Sequence, residues 1–137
     1  MGVGLIPGPL PASVVGVGID LVDIDRIRAL LGRHPRFALD RFTAAERRYC
    51  DRRRDPSERY AARFAAKEAT LKALRVGLGS LRLVDLEVVT ADSGAPSLLL
   101  HGTAAELAAE RGVTGWRVSL SHSRDLATAV VVAVGHG

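Results

Sequence analysis

The sequence predicts an α+β fold in which a small antiparallel sheet packs against one long central helix. Three observations predict it. A helical pattern without Gly or Pro in its interior runs from Asp55 to Leu74. Apolar strands open and close the chain, at 14–22 and 127–134. The later strands follow one another at hairpin spacing, which favours antiparallel pairing. A chain of 137 residues is enough for one domain with one core. The expected layout is a flexible tail over 1–13, a single domain over 14–134 and a short tail over 135–137.

Taken in order, residues 14–22 (VVGVGIDLV) read as a buried strand. Val15, Val17, Ile19 and Leu21 alternate onto one face, and Gly16, Gly18 and Asp20 share the other. Two glycines before an acid clear bulk from around it, so something can approach Asp20 closely. Asp23 suits the cap of a helix over 24–31 that stops at Gly32. A turn and short helix fill 33–42, and Thr43 to Glu46 forms a capping box for the next helix. In the central helix Asp55 is placed as the cap, Pro56 as the first helical residue and Glu58 as the capping-box acid. Residues 81–90 alternate as a strand, 91–96 turn, and 97–101 return. A second capping box, Thr103 to Glu106, opens a helix that closes at Gly112. A strand with Trp116, Val118 and Leu120 on one face runs into His122, ahead of the last strand. The resulting order is β-α-α-α-β-β-α-β-β.

The hydrophobic fraction is 47% and the charged fraction 25%, which excludes a disordered chain. A net charge of +4 and a pI near 10.0 favour anionic partners. Only Lys67 and Lys72 of the 19 basic residues are lysine, and both flank Glu68 in the central helix. The single cysteine, Cys50, excludes an intrachain disulfide and a cysteine metal site. No apolar run reaches the length of a membrane span, and the N-terminus lacks a basic n-region, so the expected location is cytoplasmic.

The central helix carries an oddity. Tyr60, Phe64 and Leu71 form an apolar stripe on which Lys67 also falls. Arg59, Arg63 and Lys67 make a ridge of like charge at i, i+4 and i+8, which weakens a helix unless an anion lies beside it. Phosphates are the simplest anions to answer it. Asp20 and Glu68 offer two carboxylates for a hard cation, which takes its remaining ligands from water and substrate phosphate. Read alone, Glu68 is equally an i, i+4 surface partner of Lys72. His122, among serines at a strand end, suits phosphate binding or base chemistry. There is no nucleophile elbow, P-loop, dinucleotide fingerprint or zinc motif. A basic nucleic-acid-binding domain is the alternative, disfavoured by 4% aromatics.

Three stretches carry a resemblance: VGVGIDLVDIDRI at 15–27, ARFAAKEATLKAL at 62–74 and VSLSHS at 118–123. In order and spacing, with RFTAAE at 41–46 and SGAP at 93–96, they are similar to the signature blocks of the holo-[acyl-carrier-protein] synthases. These are the short, stand-alone 4′-phosphopantetheinyl transferases. The resemblance implies that family's fold, with transfer of 4′-phosphopantetheine from coenzyme A to a serine of an acidic apo acyl carrier protein. It implies Mg²⁺ on Asp20 and Glu68, and Lys72 on the phosphates. It puts Arg54, Arg63, Lys67, Gly77, Pro96, Ser121 and His122 near coenzyme A. Arg26 is implied to pair with an acid of the carrier, and the helix bearing Arg26 and Arg28 is the candidate docking face. The resemblance also implies a homotrimer with active sites between subunits. Helical phase favours Lys67 for the apolar side, and the resemblance favours Lys72 for the phosphates. The chain departs from the family pattern at Ala62 and Arg75, where Gly is usual, and at Asp23, where Glu is common.

Overall fold

The computed structural model describes residues 12–136; of the tails expected over 1–13 and 135–137, residues 1–11 and 137 lie outside the described residues, while Ala12, Ser13, Gly135 and His136 belong to strands, paired across the sheet. Strand β1 (Ala12–Asp23) leads into helices α1 (Ile24–Arg33), α2 (Arg36–Arg41), α3 (Ala44–Cys50) and α4 (Ser57–Ala73). A 3-10 turn (Leu83–Asp85), the hairpin β2 (Leu86–Thr90) and β3 (Pro96–Leu100), helix α5 (Gly102–Glu110), β4 (Val113–His122) and β5 (Leu126–His136) follow. All four helices read one by one before the hairpin are present, one more than the condensed order counts. The sheet has the order β1-β5-β4 with both pairs antiparallel, and β2-β3 forms a separate ribbon.

Helix α4 lies across the inner face of the sheet. Ala61, Ala62, Ala65, Ala66, Ala69 and Ala73 are all buried. Their small side chains allow the helix backbone to come close to the strands. The glycine side of β1 completes this contact. A Cβ on Gly16 would stand 2.0 Å from the Ala73 carbonyl oxygen, and one on Gly18 would stand 1.8 Å from that of Ala69. The expectation for this strand is therefore inverted. Val17, Ile19 and Leu21 are 58%, 61% and 62% exposed, while the glycines face the core. The group that approaches the glycines is the chain's own helix, which supplies the burial that bulky side chains supply elsewhere.

Several local expectations hold. Asp23 caps α1, accepting from the amides of Asp25 (2.9 Å) and Arg26 (3.3 Å). The Thr43–Glu46 capping box forms in full. Others do not. Helix α1 runs through Gly32 to Arg33. Pro56, not Asp55, holds the cap position of α4; Asp55 accepts from the Ser57 amide at 3.1 Å, and Glu58 turns outward to His122. Thr103 lies inside α5, whose cap is His101, so the second capping box is not made. The strand expected over 81–90 begins only at Leu86, because the carbonyls of Leu83 and Leu86 turn inward to a buried ammonium.

That ammonium belongs to Lys67, which is 0% exposed. Its Nζ donates to Glu46 Oε1 (2.9 Å), Leu83 O (2.8 Å) and Leu86 O (2.8 Å). Glu46 also accepts from the amides of Thr43 (2.8 Å) and Val88 (3.0 Å). Burial pulls the Lys67 pKa down and Glu46 opposes that shift. The pair ties α3, α4 and β2 together, so the anion that answers Lys67 is a side chain of the same protein. Assigning Lys67 to coenzyme A is thereby corrected. The rest of the basic ridge is partnered too: the guanidiniums of Arg59 and Arg63 lie 4.0 and 4.3 Å from the Tyr49 ring centroid. Among the described residues no helix is long and apolar enough to cross a membrane.

Candidate active site

The glycine contact places the acid that follows it. Two residues beyond Gly18, Asp20 emerges on the inner face of β1 beside α4. Its Oδ1 accepts from Lys72 Nζ at 3.0 Å, and the same ammonium donates to Ile19 O at 3.0 Å. Lys72 is thus paired with Asp20 across the β1–α4 seam. Glu68 stands half-buried on the same side of α4. Desolvation raises its pKa, and the Asp20 carboxylate adds to this; Lys72 and Arg26 oppose it. Asp20 and Glu68 both line a cavity of about 640 Å³ whose other walls carry Arg26, Leu78 and Arg82. Two facing carboxylates with no third His, Cys, Asp or Glu grouped with them, among the described residues, form a partial oxygen shell. That donor set fits Mg²⁺, which keeps waters and takes phosphate oxygens for its other positions.

A second pocket, of about 210 Å³, gathers Arg63, Pro96, Ser121 and His122 with Glu58 and Arg53. His122 Nε2 lies 3.1 Å from Glu58 Oε1, and Arg63 donates to Thr90 Oγ1 at 2.8 Å. Asp20 and Glu68 are not among its lining residues. The fold therefore sorts the sequence-derived candidates into two groups, one at the carboxylates and one at His122. A groove of about 480 Å³ between α1 and α2, floored by Leu30, Phe37 and Phe64, carries Arg26 and Arg36 on its rim.

Three further candidates move. Arg28 is occupied: it donates to Asp55 Oδ2 (2.8 and 3.2 Å) and pairs with Asp25, bracing α1 against the start of α4. Its hydrogen bond holds the Asp55 carboxyl down at about 2. Arg54 lies in the exposed loop before α4, and its neighbour Arg53 lines the His122 pocket instead. Gly77 does not line the carboxylate cavity; Leu78 and Gly79 do. Sequence reasoning missed Glu58, spent as a cap, and Arg82, hidden in a stretch read as regular strand. Arg82 had no usable sequence signal, since alternation gave it only a solvent face.

Comparison with known proteins places the chain among relatives of one family. A family model for the 4′-phosphopantetheinyl transferase superfamily matches residues 16–131. The holo-[acyl-carrier-protein] synthase of Desulforudis audaxviator is 46% identical over 123 residues, covering 89% of this chain and 94% of that one. The enzyme of the same name from Streptomyces avermitilis is 50% identical over 123 residues, covering 90% and 99%. Among solved structures, Helicobacter pylori holo-[acyl-carrier-protein] synthase in complex with coenzyme A superposes with a TM-score of 0.76 at 33% identity, covering 85% of this chain and 98% of that one. The fold, the ordered signature blocks and these matches together assign the chain to the 4′-phosphopantetheinyl transferase superfamily.

Proposed function

We infer that this chain transfers the 4′-phosphopantetheine group of coenzyme A to a serine hydroxyl of an apo acyl carrier protein. The serine oxygen forms a bond to the β-phosphorus of coenzyme A. The bond from that phosphorus to the bridging oxygen breaks, adenosine 3′,5′-bisphosphate leaves, and the hydroxyl proton is released. The observation that carries this reading is the Asp20–Glu68 pair facing one cavity, with Lys72 bonded to Asp20. Phosphoryl transfer asks mainly for positioning and neutralised charge, and the nucleophile arrives on the partner.

Asp20 and Glu68 are the residues that would hold Mg²⁺. When bound, the ion would neutralise pyrophosphate charge and polarise the phosphoryl group. Lys72, bonded to Asp20 and partly exposed, would add a positive charge for an incoming phosphate beside that carboxylate. Arg63, Pro96, Ser121 and His122 are the proposed coenzyme A contacts, and Arg26 is the proposed contact to an acid of the carrier. The groove floored by Leu30, Phe37 and Phe64 suits an apolar side chain of the same partner, and a net charge of +4 favours an acidic one. The reaction is one of fatty-acid or related carrier biosynthesis, in the cytoplasm.

The separation of the two pockets supports a site completed between copies of the chain. So does the outer face of the sheet, where Val17, Ile19 and Leu21 stand exposed beside Val130 and Val132 of β5. A homotrimer buries that face and brings one copy's His122 pocket to another's carboxylates. Mass spectrometry of an apo carrier incubated with coenzyme A, Mg²⁺ and this chain tests the activity: the carrier gains the phosphopantetheine mass. No gain across several apo carriers rejects the reading. Mixing Asp20→Asn with His122→Ala, each inactive alone, restores part of the activity if sites are shared; an inactive mixture after subunit exchange rejects shared sites.

A further inference from the structure

The wall of the carboxylate cavity opposite α1 has a fixed backbone. Lys67 holds the carbonyls of Leu83 and Leu86, Glu46 holds the Val88 amide, and Leu81 and Leu86 are buried. The Asp85 amide donates to Arg82 O at 3.0 Å, closing the 3-10 turn over it. On this backbone Arg82 points outward, exposed, with no side-chain hydrogen bond or ion pair among the described residues. Of the other cations of the cavity, Arg41 is engaged and Arg26 stands unpaired among the described residues on the α1 side. Arg41 lies 4.7 Å from the Phe37 ring centroid, and Arg26 stands on α1, close enough to Glu68 to act on its charge. Arg82 lines the cavity with its guanidinium unpartnered among the described residues.

Leu78 lines the same wall and is 75% exposed, more than the other exposed large hydrophobic residues of the described chain. Arginine is enriched at interfaces, and here it shares a cavity lip with the exposed apolar surface of Leu78.

We propose that Leu78 and Arg82 form a second docking arm for the carrier protein, gripping it on the side of the acceptor serine opposite Arg26. Arg82 receives a carboxylate of the carrier and Leu78 an adjoining apolar side chain. This rests on the transferase reading above and adds the residues that choose the acceptor. The occupant is a protein because its serine must reach Asp20 and Glu68 between the two walls, and an acidic one because both walls present unpaired guanidiniums. The anchoring of the wall by Lys67 lowers the ordering cost of docking.

The test is steady-state kinetics of Arg82→Glu and Leu78→Ser, varying carrier and coenzyme A separately, with carrier binding measured directly and oligomeric state checked. Both side chains are exposed, so both variants fold. In Arg82→Glu the KM and Kd for the carrier rise by about tenfold or more, with the KM for coenzyme A unchanged. In Arg82→Ala the salt dependence of kcat/KM for the carrier becomes shallower. Leu78→Ser shows a smaller rise of the same kind. An unchanged carrier KM overturns the proposal. A rise confined to the KM for coenzyme A reassigns Arg82 to the cofactor and overturns it. A change of oligomeric state assigns the arm to contacts between copies and likewise overturns it. A wild-type chain that binds and modifies no carrier removes the transferase reading, and the docking arm with it.

Discussion

Helix α4 presents a lysine and a carboxylate partner on each of two sides, and the two sides behave in opposite ways. On the core side Lys67 meets Glu46, and every donor and acceptor of the pair has a partner. On the cavity side Lys72 meets Asp20, Glu68 stands beside them, and burial and like charge raise the Glu68 pKa. The same chemistry thus serves structure where it is fully satisfied and waits for a ligand where it is not. The difference is geometric. Around Lys67 the 3-10 turn and β2 bring two carbonyls and an amide to the pair. Around Glu68 the wall stands away across a cavity of about 640 Å³. Half-buried like charges beside a cavity lose hydration and repel, so the Asp20–Glu68 pair is the candidate for binding something else.

The largest effect is expected on the cavity side. Glu68→Gln and Asp20→Asn each lower transfer by at least about a hundredfold while thermal unfolding stays cooperative. Full activity in either variant would erase the functional half of the contrast. Lys67→Met attacks the core side. It leaves Glu46 buried without its cation and should cost about 3–5 kcal/mol in denaturant unfolding. Lys67→Met combined with Glu46→Gln should recover part of that loss, because no uncompensated charge is left buried. A double variant no better than the single one would mean that the lost carbonyl contacts, not the stranded charge, set the cost.

A pH titration of metal-free stability separates the two kinds of carboxylate. Asp55 has its pKa lowered to about 2 from 3.8 by Arg28 and the Ser57 amide. Its contribution is complete above the unfolded value near 3.8 and disappears as pH falls through about 2. With Asp55 largely exposed the effect is modest, and Arg28→Ala should remove it. Glu68 has the opposite sign. Its raised pKa means that ionised Glu68 costs stability, a cost relieved as pH falls through its folded value, which lies above the ordinary carboxylate one. Glu68→Gln should flatten that part of the curve, and a curve unchanged by the substitution contradicts the assignment. The smallest effect lies at the C-terminal end of α4, away from both sides. Arg75 takes φ 59°, where the family pattern has Gly. Arg75→Gly should raise stability by about 1 kcal/mol, read as a higher melting temperature.

Much of this molecule was legible in the residues. The Thr43–Glu46 box, the Asp23 cap, the long Ala-rich helix and the hairpins are local matters, decided by neighbours a few positions apart. Asp20 and Glu68 were legible because the Gly-x-Gly-x-Asp strand and the Lys-Glu step of the helix are unusual in themselves. Which face of β1 points inward was not. A period of two defines two faces without saying which is buried, and here a helix backbone, seated against Gly16 and Gly18, took the place that apolar side chains normally fill. The fate of each lysine was also undecided. Helical phase put Lys67 toward the core, but its acceptors lie 16 to 21 positions away in sequence, and only the folded chain brings them within 3 Å. The pairing of Arg28 with Asp55, of His122 with Glu58, and the solitary outward placement of Arg82 are of the same kind. By itself the sequence determined the elements, the Asp23 and Thr43–Glu46 caps and the acids proposed to carry the chemistry, because those depend on local geometry. Tertiary structure alone decided which charges are satisfied and which remain open, because that depends on what the rest of the chain brings near them.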